Sequence, residues 1–171
     1  MIDFIDPKHL TEVKVEARTL LLKEGEFSQK MFFVKKGSIR VWFNHNGKDI
    51  TTQFFFEGDA ATSLESFMNG EPSPFNIETI EACELIVLTK KDFESELAAS
   101  DTFKDWFYQT ALQKLLLHAN RLLSLIKNKP QERYRELMQH HPHILKRVPQ
   151  HYIASYLGIT SVSLSRIRNR K

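Results

Sequence analysis

The stretch HYIASYLGITSVSLSRIRNRK, His151 to Lys171, contains Arg166, Arg168, Arg170 and Lys171 and no acidic residue. Read as a helix from Ser161 to Arg170, it sets Ser161, Val162, Ser165, Arg166 and Asn169 at i, i+1, i+4, i+5 and i+8, on one face. Such a face is short, polar and basic, as an element entering the major groove of duplex DNA needs to be. Arg166 has the planar fork that pairs bidentately with a guanine edge, and Val162 can touch a thymine methyl. Ser161 and Ser165 are small enough to allow close approach. Arg168, Arg170, Lys171, Lys146 and Arg147 suit phosphates, which fix register without reading sequence. A solvated surface charge is the competing reading for each cation. For Arg166, on a face of otherwise small side chains, base contact outweighs it; for Arg170 and Lys171 the two readings balance.

A reading helix must be held at a fixed angle, and the preceding residues have the pattern for it. Gln150 to Leu157 reads as a first helix. Gly158 sits where a tight turn needs positive φ, and Thr160 supplies a capping hydroxyl for the second helix. Apolar Ile153, Leu157, Ile159, Leu164 and Ile167 fall at helix-turn-helix spacing, with small Ala154 letting the helices cross closely. The candidate DNA-contacting set is Thr160, Ser161, Val162, Ser165, Arg166, Arg168, Asn169 and Arg170.

Charge is distributed in the same sense. Residues 130–171 hold eight Lys/Arg against two acids, and the preceding 129 residues hold sixteen against nineteen. A one-sided basic segment suggests a polyanion partner, nucleic acid or an acidic membrane; on charge alone a solvated basic tail is an equal alternative. The composition, 42% hydrophobic and 26% charged, is that of a globular chain. No apolar run is long enough to span a bilayer, and MIDFIDPKHL lacks the basic and apolar regions of a secretory signal. A cytoplasmic protein with no membrane partner is expected. Cys83 is the single cysteine, which excludes an intrachain disulfide and a cysteine-ligated zinc or iron–sulfur site. His140, His141 and His143 cluster without a nearby Cys, and no metal is expected there. No Ser-His-Asp or Cys-His signature and no phosphate-cradling glycine loop occurs, so the chain is not expected to be an enzyme.

The first hundred residues read as sheet. Turns at Gly25 (KEGE), Gly37 (KKGS), Gly47 (NHNG) and Gly58 (EGD) recur every ten to twelve residues, the rhythm of hairpins in a sandwich or barrel. Asn46-Gly47 fits a type I′ turn. Before it Ile39, Val41 and Phe43 alternate with Ser38, Arg40 and Trp42; after it Ile50, Thr52, Phe54 and Phe56 hold alternate positions. FNIETIEA and CELIVL read as further strands, and the aromatics of this part as its core. Thr102 to Lys127 reads as one helix, with Asp101 as N-cap and Asn128-Lys129-Pro130 as its end. Its apolar residues cover two faces, one for the sheet and one for a partner helix; burial between two domains of one chain is the alternative. QERYRELMQHH reads as a short helix with the stripe Tyr134, Leu137 and Met138, closed by Pro142.

In this order of parts the chain resembles the Crp/Fnr family of bacterial transcription regulators. The likeness rests on KEGEFSQKMFFVKKGSIRVWF, similar to the family's glycine-punctuated start of the roll. It continues in FFFEGDAATSLESFMNG, similar to its aromatic-x-x-Gly-Asp entry to the ligand segment, and covers essentially the whole chain. It implies an α+β fold: an N-terminal double-stranded β-roll, jelly-roll-like and of the cyclic-nucleotide-binding kind, as sensor domain (1–100); a long dimerisation helix (101–129); and a C-terminal helix-turn-helix DNA-binding domain (130–171). It implies a homodimer on the two half-sites of a palindromic operator in double-stranded DNA, with RNA polymerase as a further partner. HHPHILKRVPQ reads as a loop too short for a full β-hairpin wing, so the wing is expected to be missing or reduced.

The ligand segment departs from the family. In its cyclic-nucleotide-binding members a Gly-Glu pair meets the ribose and an Arg-Ser pair holds the cyclic phosphate. Aligned from Gly58-Asp59, these fall on Thr62-Ser63 and Ser73-Pro74. Without the Arg the phosphate has no bidentate partner, and Pro74 offers no backbone N–H. Glu65, two residues off, is a weak substitute for the sugar contact. The expectation is a regulator not controlled by cAMP, with no certain cofactor. An unknown small-molecule effector, or none, would occupy a pocket of Thr62, Ser63, Leu64, Glu65, Ser73, Pro74 and, from the long helix, His118. The alternative is a small-molecule-binding roll whose C-terminal helices serve protein contact, marked by binding that ignores salt.

Overall fold

A computed structural model describes residues 2–169. Arg170 and Lys171 lie outside the described residues. The chain forms strands β1 (Leu10–Val15), β2 (Leu20–Leu22), β3 (Lys30–Lys36), β4 (Ile39–His45), β5 (Lys48–Phe55) and β6 (Ala60–Ala61), helix α1 (Leu64–Asn69), and strands β7 (Asn76–Thr79) and β8 (Cys83–Thr89). Helices α2 (Lys90–Ala99), α3 (Asp101–Lys127), α4 (Pro130–His140), α5 (Pro142–Arg147), α6 (Gln150–Tyr156) and α7 (Ser161–Asn169) follow. Two compact units result. The first takes the chain up to Phe43 with Thr52–Gln109, and the second takes Asn44–Thr51 with the chain from Thr110 onward.

The first unit is built on two four-stranded sheets, ordered β1-β8-β3-β6 and β2-β7-β4-β5, with antiparallel pairing. Positive φ at Asn46 (53°) and Gly47 (76°) makes the turn between β4 and β5, as a type I′ hairpin requires. Strand β3 is buried on both faces, and the period of two explains how. Phe32 and Val34 join Leu22, Ile39, Val41, Phe55, Ile77 and Leu85 in one apolar cluster. Met31 and Phe33 join Phe67, Leu88, Phe93, Phe103 and Phe107 in a second. The sheet holding β3 therefore has apolar packing on either side. Most aromatics of this part lie in or against these two cores as expected; Phe54 and Phe56 are buried outside them, and Phe27 is exposed.

The residues alternating with the core positions of β4 are not a solvent face. Ser38 and Arg40 are buried. Arg40 donates from Nε to Glu78 Oε2 at 2.8 Å, and its Nη2 lies 2.6 Å from the same oxygen. Its guanidinium also lies over the Trp42 ring, 4.7 Å from the centroid. Cys83 is buried too, with its Sγ against Ser38 O and Glu81 O.

Helix α3 begins one residue earlier than expected. Asp101 is its first residue, and Ser100 supplies the oxygen that accepts from Phe103 N–H (3.1 Å). At 27 residues it is about 40 Å long. Phe103 and Phe107 are buried, but Tyr108, Leu112, Leu115, Ala119, Leu122 and Ile126 are exposed, Ile126 by 72%. Their spacing of four and three is a heptad stripe.

In the second unit α4 starts at Pro130, whose missing N–H costs nothing at a first helical position; Lys129 N–H is met by Glu132 Oε2 at 2.7 Å. Leu137 is buried, whereas Met138, placed in the same apolar stripe by sequence, is exposed. HHPHILKRVPQ is not a loop. Pro142 opens α5 instead of merely closing α4, and Ile144 and Val148 are buried.

Candidate nucleic-acid interface

The site is built from α6, a turn and α7. Ile153, Ala154, Leu157 and Leu164 are buried, which leaves the turn between the helices little freedom. Gly158 has φ +67°. Its N–H donates to Ser155 O and Ile159 N–H donates to Ala154 O, each at 3.0 Å. These two bonds make a Schellman motif that ends α6 and aims the chain into α7. Thr160 caps α7, accepting from Ser163 N–H at 3.1 Å.

Two arginines sit at the C-terminal end of α6, where carbonyls lack helical partners and the helix dipole is negative. Arg121 of α3 donates from Nη2 to Tyr156 O (2.9 Å) and Thr51 O (3.3 Å), and stacks over the Tyr156 ring at 3.9 Å. Arg133 of α4 donates from Nε (3.1 Å) and Nη2 (2.9 Å) to Leu157 O, and from Nη1 to Asn128 O (2.7 Å). Ser155 Oγ donates to Asp49 O (2.7 Å) and accepts from Thr51 N–H (2.8 Å). Arg121, Arg133 and Ser155 are positioning residues that sequence reasoning missed. The one available signal was a cation facing a helix C-terminus, and it becomes visible only once α3 and α4 are placed.

All the sequence-selected residues that are described, Thr160, Ser161, Val162, Ser165, Arg166, Arg168 and Asn169, are exposed. Ser161, Val162, Ser165, Arg166 and Asn169 share one face of α7. Arg170 belongs to the same set by sequence but lies outside the described residues. Lys146 and Arg147 are exposed in the last turn of α5.

The ligand segment has a different character. Ser63 and Ser73 are buried, with their Oγ atoms 2.8 Å apart, and Ser73 Oγ donates to Phe75 O at 2.8 Å. Thr62 Oγ1 donates to Lys30 O at 3.0 Å. These hydroxyls are spent on the protein itself. Leu64, Glu65 and Pro74 are exposed. Residues 62–75 contain Glu65 and Glu71 and no Lys or Arg. His118 is exposed and belongs to the second unit.

The histidine cluster spans the end of α4 and the start of α5. His141 is half-buried, and its pKa is pushed below the ordinary value, first by burial and then by His143 and His140. A lowered folded-state value means that the unfolded chain takes up the proton first. The neutral ring's contribution to stability is present above the ordinary histidine value of 6.5 and is lost as pH falls through the lowered one. Thermal unfolding is therefore expected to show a midpoint that drops on acidification through this window, and His141→Gln should flatten the drop. Among the described residues no group of three His, Cys, Asp or Glu is placed to hold a metal, and no helix is long and apolar enough to cross a membrane.

A double-sheet roll followed by a long helix and a set of short C-terminal helices defines a class of protein. Residues 12–100, more than half of the chain, match the cyclic nucleotide-binding domain family, and the chain belongs to that family. It is 25% identical over 122 residues to the anaerobic regulatory protein of Bacillus subtilis (strain 168), an alignment that covers 65% of this chain and 51% of that protein. The chain thus spans about half the length of that relative. FixK2 from Bradyrhizobium japonicum superposes with a TM-score of 0.80 at 16% identity, covering 93% of this chain and 82% of that one. A CooA variant from Carboxydothermus hydrogenoformans gives 0.75 at 18%, covering 95% and 76%. These structural neighbours are Crp/Fnr-family regulators, and at such identities they show a shared fold.

Proposed function

We propose that the protein is a DNA-binding transcriptional regulator of the Crp/Fnr type, not an enzyme, that acts as a homodimer and is not controlled by cAMP. The observation that carries the reading is the exposed face of α7, with Arg166 among Ser161, Val162, Ser165 and Asn169. That face is fixed by the α6 turn and its two arginine contacts. Residues 1–100 serve as the sensor, 101–129 as the dimerisation helix and 130–171 as the DNA-binding domain. The exposed heptad stripe of α3 supports dimerisation, since a helix with such a stripe buries it against a second copy. The lack of a cation in residues 62–75 argues against a cyclic phosphate. An event in the roll would shift the paired long helices and reset the distance between two recognition helices, which must match half-sites about 34 Å apart.

The test is fluorescence anisotropy with duplex DNA from the gene's own upstream region at low and moderate salt. Binding is expected to weaken steeply with salt. Arg166→Ala should lose about 1–3 kcal/mol and relax selectivity at one base position. Binding that ignores salt, or an Arg166→Ala variant indistinguishable from wild type, would overturn the reading in favour of a module whose C-terminal helices contact protein.

A further inference from the structure

We propose that the groove enclosed by α3, α4 and α6 in the second unit binds a small organic carboxylate with an apolar body. The groove has a volume of about 510 Å³, within the range of small-molecule sites. Leu117, Leu137 and Leu157 give it apolar walls, and Arg121, Lys127 and Arg133 line it beside a single carboxylate, Glu136. Both oxygens of Glu136 accept from neutral donors, Ser124 Oγ and Asn128 Nδ2. None of these four charged groups forms an ion pair among the described residues. The lining therefore has cations in excess and no anion paired to them.

Arg121 is the anchor. One face of its guanidinium stacks on Tyr156, and of its nitrogens Nη2 alone is hydrogen-bonded among the described residues, to two backbone carbonyls, which leaves the edge of Nε and Nη1 open to a ligand. A partly desolvated guanidinium facing an apolar space gains most from a carboxylate, which it meets with charge-assisted bonds. The body of such a ligand would lie along the leucines, and Lys127 would add charge at the rim. A second copy of the chain does not compete for this space. Leu117, Arg121, Ser124 and Asn128 lie about half a helical turn from the stripe of Leu115, Ala119, Leu122 and Ile126. The site is also separate from the Thr62–Pro74 segment of the roll. It stands on its own charges and volume, whether or not α7 reads DNA.

Isothermal titration of the whole chain with octanoate, and separately with octanol, tests the proposal. Octanoate is expected to saturate one site per chain, with octanol at least about tenfold weaker. Lys127→Glu, an exposed position that leaves the fold alone, and Arg121→Gln should each weaken octanoate by about tenfold and leave octanol unchanged. Circular dichroism checks that Arg121→Gln is folded; if it is not, Lys127→Glu decides. No saturable uptake of octanoate at millimolar concentration, equal affinity for the alcohol and the acid, or variants that bind octanoate like wild type would overturn the proposal.

Discussion

Phe93→Ala is expected to cost about 3–5 kcal/mol in urea unfolding of the full chain, the usual range for deleting a buried ring. Phe93 is 1% exposed. Its ring meets Phe67, Phe103 and Phe107 edge-on, with centroids 5.1, 5.3 and 5.0 Å away. Each such pair is worth about 0.5–1.5 kcal/mol beyond the area it buries, and the void left by alanine loses all three at once. The neighbours come from α1 and α3, so they cannot collapse into the space by moving one element. Since whole domains hold about 5–15 kcal/mol, the midpoint should fall by a large fraction of its value. Phe27→Ala, at an exposed ring, is the control and should change stability by less than about 0.5 kcal/mol. Equal effects of the two would show that the aromatic cluster does not hold the first unit together.

The second large effect is at the buried ion pair. Arg40→Leu should cost about 3 kcal/mol, the low end for removing one partner of a buried pair. It strands Glu78, whose side chain is only 14% exposed and whose carboxylate is held by Arg40. Adding Glu78→Leu should recover most of that loss, because two apolar side chains need no compensation and the desolvation penalty disappears with the charges. A double-mutant cycle in urea reads the coupling directly. If the double variant is no more stable than Arg40→Leu, the loss comes from packing over Trp42 and not from charge.

The features legible in sequence were those written in local chemistry. Asn46-Gly47 announces its turn because both positions must take positive φ. Gly158 and Thr160 likewise name the turn and the cap of α7, and the exposed residues of α7 follow from its period alone. Features that depend on what arrives from elsewhere in the chain were not legible. Arg40 looked like the polar half of an alternating strand, and Glu78, which arrives on β7, compensates its buried charge. Pro142 was read as a stop, yet at the first position of α5 its ring is as welcome as it is disruptive inside a helix. Ser63 and Ser73, ten residues apart, gave no sign that they would bond to each other. Arg121 and Arg133 carry no local signal of their role, which arises only where the C-terminal carbonyls of α6 meet them.

Cys83, the one cysteine, is 3% exposed at the head of the central strand β8. It therefore gives the roll an intrinsic clock. A thiol reagent can reach it only when the strands part, so the labelling rate in plain buffer, divided by the rate in denaturant, gives the opening equilibrium. With no second thiol to confuse the readout, the protein reports the breathing of its first unit without any added probe. A ligand or operator that tightens the roll would reveal itself as slower labelling, at concentrations where no spectroscopic signal changes.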